Sequence, residues 1–232
     1  MSTPEEHRQV PCWAGRTFTL VPRRTALLVI DMQRDFLDPQ GLCAQRGEAI
    51  GELQVIVPVL QRAAVAARAA GIRLIHTREG YAPDLSDVHP AKGELSWVGQ
   101  PGLLGRFLIR GEPGHDFIPE CRPAPGETVI DKPGYSAFYR TELEDRLHAA
   151  GVTHLVFTGV TTQCCVHSSL RDAVDRGFHC LTLADGCAAY ERRLHDASLA
   201  LIQGESHLFG WIAEADAFIA ALAGDVERAG TA

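Results

Sequence analysis

Three side-chain types in this sequence could do chemistry together. They are the acid Asp31 in 25-TALLVID-31, the base Lys132 in 128-TVIDK-132, and a thiol from the adjacent Cys164 and Cys165 in 155-LVFTGVTTQCCVHSSLRDA-173. A thiol attacks only after losing its proton, and a carboxylate such as Asp31 can take it. Lys132 could hold the anionic pair together. Cys165 falls in the first turn of a helix-like segment, where the macrodipole favours thiolate. Backbone N–H groups of the 159–165 turn could form an oxyanion hole, and losing one such donor typically costs ~3–4 kcal/mol of barrier. Taken singly, the residues have plainer readings. Free cysteine is among the most buried residue types, an Asp after a strand often caps a turn, and a lone Lys is usually solvated. Their coincidence at three strand ends is what points to a site.

The elements that position them alternate. The runs 25–31, 72–78, 128–132, 153–159 and 179–185 read as strands buried on both faces, the last ending in Asp185. Helical spacing covers roughly 49–70, 141–150, 164–176, 191–203 and 213–223, with Gly71, Gly151 and Gly177 as stop signals. Repeated βα units predict a parallel sheet with helices on both faces. Ligands of such sheets bind beyond the carboxyl ends of the strands. The segment 79–127 is long and rich in Gly and Pro, which predicts a lid or substrate loop.

Composition narrows the function classes. The 232 residues suit one large α/β domain, taken as residues 1–232. The chain has 22 basic against 29 acidic residues, a net charge of -7, which argues against nucleic-acid binding. No run approaches the ~20 apolar residues of a membrane span. The N-terminal stretch carries Glu5 and Glu6 without an apolar signal core, so the expected location is cytoplasmic. Seven scattered cysteines with no CxxC pair read as reduced thiols, without support for structural zinc.

The blocks 26-ALLVIDMQRDF-36, 131-DKPGYSAFYRTEL-143 and 158-TGVTTQCCVHSSLRDAVDRGF-178 resemble, in the right order, those of the isochorismatase-like cysteine hydrolases. The resemblance spans about 24–222. It implies a three-layer α/β/α fold with a six-stranded parallel sheet, often ordered 3-2-1-4-5-6. It implies Asp31, Lys132 and Cys165 as the catalytic set, with Cys164 as packing. It also implies a cis peptide before Thr161, turning the amides of Thr161 and Cys165 toward one oxyanion, no cofactor, and a homo-oligomer (dimer or tetramer). The segments 76-HTREGYAPDLSD-87 and 110-RGEPGHDFIPE-120, with Gln203, look most similar to the biuret hydrolase and related ureide branch. Phe36, Tyr135 and Gln203 are the substrate-binding residues implied. Biuret hydrolases carry Lys where this chain has Tyr135, whereas ureidoacrylate amidohydrolases carry Tyr, so ureidoacrylate and N-carbamoyl compounds stay open beside biuret.

The metal-binding nicotinamidase branch has an Asp-Trp-His-Pro motif; this chain has only 87-DVHP-90, so no metal is expected and His89 reads as a loop residue. His76 could touch substrate or lie buried and neutral. Two other function classes compete with this one. Cys165 and Arg171 have the Cys-x5-Arg spacing of cysteine phosphatases, but the five residues between them hold no Gly and continue as a helix. A non-enzymatic binding module would have no need of the set Asp31, Lys132 and Cys165.

Overall fold

The computed structural model describes residues 6–223. Six parallel strands form the central sheet: β1 (Thr25–Ile30), β2 (Arg73–Glu79), β3 (Thr128–Lys132), β4 (His154–Val160), β5 (His179–Ala188) and β6 (Trp211–Ala213). Their order across the sheet is β6-β5-β4-β1-β2-β3. In strand number this is the expected 3-2-1-4-5-6.

All six residues of β1 are buried, as its continuous apolar run requires. Alternation then sorts them by face. Leu27 and Val29 join one core with Leu60 of α1 (Val57–Ala69) and Phe218 of α5 (Ala215–Ala223). Ala26, Leu28 and Ile30 join the other with Leu147 of α2 (Leu143–Ala149), Leu170 of α3 (His167–Asp175) and Leu199 of α4 (Arg192–His207). Each fully buried aliphatic side chain contributes ~1.5–3 kcal/mol, so β1 is clamped from both sides.

Three helices end in one way. At Gly71, Gly151 and Gly177 the backbone is left-handed, and paired bonds such as Ile72 N–H to Ala67 O with Gly71 N–H to Arg68 O close the helix before a strand begins. These are the predicted stops.

Several features differ from the sequence expectation. The helix at 49–70 is two pieces, Ile50–Gln54 and Val57–Ala69, because Pro58 has no N–H and so restarts the helix at its first turn. The 20 residues Ile50–Ala69, with mean hydropathy 1.3, are long and apolar enough by composition to cross a membrane; here a third of the stretch is buried against the sheet and its neighbours. An antiparallel hairpin, Arg8–Pro11 with Thr17–Leu20, was not anticipated and inserts Val10, Phe18 and Leu20 into the first core. β5 bulges against β4 and runs on to Ala188. Asp185 therefore does not close that strand at the site: its Oδ1 accepts the Ala215 N–H at 2.7 Å and caps α5.

The segment 79–127 contains a short helix, Pro90–Leu95, and a two-residue hairpin. Its Tyr81, Phe107, Leu108 and Ile109 form a small separate core with Leu42 and Cys43. Buried Asp35 fastens it by accepting the Leu108 N–H at 2.8 Å. Gln33 adds a second clamp, donating to the carbonyls of Glu79 and His115 at 3.0 Å and accepting the Glu79 N–H at 2.8 Å.

Candidate active site

The carboxyl ends of β1, β2, β3 and β4 converge. Asp31 follows β1 with φ of 52°, a left-handed conformation that Asp tolerates better than most residues. Its Oδ1 accepts the Thr77 hydroxyl at 2.6 Å, and its Oδ2 lies 2.7 Å from Lys132 Nζ. Lys132, the last residue of β3, is fully buried; its ammonium also donates to Gly134 O at 2.8 Å and stands 3.9 Å from Glu79 Oε2. The expected reach of Lys132 on its long stem is what the geometry contains.

β4 approaches β1 most closely at Gly159, whose φ is 108° and where a Cβ would run into the Ile30 backbone. The next peptide, Val160 to Thr161, is cis. The chain then makes a π-type turn, Thr162–Val166, before α3 begins. Cys165 sits in that turn, buried, with its sulfur donating to Glu79 Oε2 at 3.5 Å. Donor atoms of Asp31, Glu79 and Cys165 all lie within 4.8 Å of one another. Such a trio could ligate a metal, but the Lys132 ammonium already occupies the cation's place beside both carboxylates.

Charge is distributed unevenly over this cluster. Burial raises the Asp31 pKa, against the pull of Lys132, and the Glu79 charge raises it further. Burial would raise Glu79 too, but Lys132, Lys92 and the Tyr81 hydroxyl outweigh it and hold this carboxyl below its usual range. Burial opposes the Lys132 charge, yet Asp31, Cys165 and Glu79 together raise its pKa. The Cys165 thiol is held well above the usual cysteine value by its hydrogen bond with Cys164 and by burial. The helix-terminus expectation thus needs correction: Cys165 lies in the turn before α3, and at rest it keeps its proton. Two carboxylates with opposed proton affinities beside one thiol are a recognisable acid/base arrangement.

A cavity of about 150 Å³ opens onto the sulfur. Phe36, Tyr135, Thr161 and Cys165 line it, as do Glu79 and Lys92. A larger groove of about 650 Å³, between Arg68 and Ala150, touches none of the cluster. Gln203 and Cys164 stand differently to this cavity. Gln203 is not among the cavity's lining residues: its neighbour Ile202 points into the core, and the helical turn carries Gln203 elsewhere, beside the break at Gly204. Cys164 packs against the core that holds Leu170 and also lines the cavity next to Cys165. His76 is buried, bonded through Nε2 to Glu127 at 2.9 Å and away from the sulfur's cavity.

Glu79 is the residue that sequence reasoning missed. It lies one position past the apolar run read as 72–78, and the strand-end rule applied to the full β2 finds it. Its Oε1 accepts the Tyr81 hydroxyl at 2.9 Å and pairs with the Lys92 ammonium from the helix Pro90–Leu95.

Known proteins resemble this chain over most of its length. Residues 25–217 match the isochorismatase domain. A ureidoacrylate amidohydrolase of Serratia proteamaculans is 32% identical over 215 residues, covering 89% of this chain and 86% of that protein. A cysteine hydrolase from Pseudomonas syringae pv. phaseolicola superposes with a TM-score of 0.78 at 26% identity, over 95% of this chain and 99% of that one. An isochorismatase family protein from Desulfovibrio vulgaris does so with 0.73 at 28%, over 87% and 99%. The strand order, the turn that delivers the thiol and this match over most of the length have one reading: the chain belongs to the isochorismatase family.

Proposed function

We propose that this protein is a cysteine-dependent amidohydrolase that cleaves a C–N bond of a small, biuret-like ureide and releases ammonia. The observation that carries the reading is the meeting of Asp31, Glu79 and Cys165 within 4.8 Å beside a buried Lys132, with Glu79 and Cys165 lining a cavity of about 150 Å³. Asp31 takes the Cys165 proton, and the thiolate adds to a carbonyl carbon. The amides of Thr161 and Cys165 receive the oxyanion. The C–N bond breaks as Asp31 returns its proton to the leaving nitrogen, which departs as ammonia and leaves a thioester. Water, deprotonated by the same carboxylate, releases the acid and restores the thiol. Lys132 keeps Asp31 ionised while burial works against it. Phe36 and Tyr135 supply walls for the substrate.

The ureidoacrylate amidohydrolase among the relatives, together with Tyr135, favours a second reading, in which the ureide is ureidoacrylate or an N-carbamoyl compound. We also place this enzyme in the cytoplasm as a dimer or tetramer. An ammonia-release panel over biuret, triuret, ureidoacrylate, N-carbamoyl compounds and simple amides, compared by kcat/KM, tests the assignment. Cys165→Ser should stay folded and lose at least ~1,000-fold in kcat, and mass spectrometry of the wild type with a slow substrate should find the acyl adduct on Cys165. Wild-type turnover in Cys165→Ser, with loss in Cys164→Ser, would overturn the choice of nucleophile.

A further inference from the structure

From the pairing of Glu79 with Lys92 we infer that the cavity selects uncharged ureides and rejects those bearing a carboxylate. This rests on the amidohydrolase reading above and narrows its substrate class.

Among the described residues lining the cavity, Lys92 is the one cationic side chain, and it is already engaged. Its ammonium pairs with Glu79 Oε1 and lies 3.6 Å from the centre of the Tyr135 ring and 5.1 Å from that of Tyr81. An ammonium held by a carboxylate and two aromatic faces has little to offer a second anion. Glu79 is different: Oε1 is spent there, while Oε2 is held only loosely, 3.9 Å from the Lys132 ammonium beneath it. Oε2 faces the Cys165 sulfur at 3.5 Å, where the acyl group must arrive. An ionised oxygen at that place accepts the N–H donors with which a ureide is well supplied. It repels a substrate carboxylate. The repulsion is strong because Phe36, Val98, Phe107 and Leu108 keep the cavity largely apolar.

Biuret and N-carbamoylglycine test this directly, since both begin with the same ureido group and the second ends in a carboxylate, one methylene further out, where biuret ends in an amide. Wild-type kcat/KM should favour biuret on the order of 100-fold, mostly through KM. Glu79→Gln removes the negative charge and frees the Lys92 ammonium. It should lower kcat/KM for biuret and raise it for N-carbamoylglycine by about tenfold in absolute terms. The double variant Glu79→Gln with Lys92→Met should lose that gain. If Glu79→Gln does not fold, Lys92→Gln gives the opposite arm: an uncompensated Glu79 should widen the preference for biuret. Equal use of both compounds by the wild type would overturn the inference while leaving the amidohydrolase reading intact. So would a folded Glu79→Gln whose turnover of N-carbamoylglycine is unchanged. If no ureide or amide releases ammonia, the amidohydrolase reading fails, and this inference fails with it.

Discussion

Lys132 is buried with no exposed surface, and its charge is matched against Asp31 at 2.7 Å. Removing one member of such a pair leaves the other charge stranded. Lys132→Met should therefore cost about 3–5 kcal/mol in urea unfolding. Adding Asp31→Asn should recover part of that loss, which independent effects would not do. Burial raises the Asp31 pKa against the pull of Lys132, and the Glu79 charge raises it further. The acid limb of kcat/KM against pH should thus lie above the ordinary carboxylate range, and Glu79→Gln should move it to lower pH, because ionising Asp31 no longer opposes a neighbouring anion. Asp31, Lys132 and Cys165 were legible because each is a reactive side chain set at or just beyond an apolar run. Glu79 was hidden by a one-residue error in the end of β2. Lys92 was hidden for a deeper reason: no periodicity says which lysine of an irregular loop folds inward. Gln203 was harder to place, because a helical position fixes its direction only once the neighbouring faces are known.

At the scale of elements, the close approach of β4 to β1 brings the sulfur to the acid. Gly159→Ala would push a methyl group into the Ile30 backbone at a φ that disfavours any side chain. The expected cost is about 3 kcal/mol or more, with activity lost alongside, as read from thermal unfolding and kcat. The loop 79–127 hangs partly on Asp35, whose pKa burial raises from 3.8 to about 6. The folded state therefore holds this proton more tightly than the unfolded chain. The stabilisation is complete below the unfolded value and disappears as pH rises through about 6. Asp35→Asn keeps an acceptor for the Leu108 N–H without the titration. Relative to wild type it should gain up to about 3 kcal/mol between pH 4 and 7 in urea unfolding. Strands, helices and the three glycine stops were readable because apolar period and punctuation agree there. The hairpin at 8–20 and the three-residue β6 were not, being too short for a period to show before tertiary packing recruits them.

The whole molecule leaves Leu95 87% exposed and Leu103 73% exposed, both on the loop that walls the cavity. Apolar side chains in such positions suit contact with a second copy, in keeping with the proposed oligomer. Leu95→Asp with Leu103→Asp should reduce the assembly measured by light scattering and leave the circular dichroism spectrum unchanged. The sheet order was legible through the resemblance of three sequence blocks. What fills the site between them was not, since that depends on a loop with no periodic signal. The order β6-β5-β4-β1-β2-β3 also divides the chemistry by chain half. Every charged group of the cluster precedes the turn at Gly151, and the sulfur follows it. Two polypeptides severed at that turn should each be inert, one holding the charges and the other the proposed nucleophile. Ammonia evolved on mixing them would report reassembly, which makes this fold a natural split reporter.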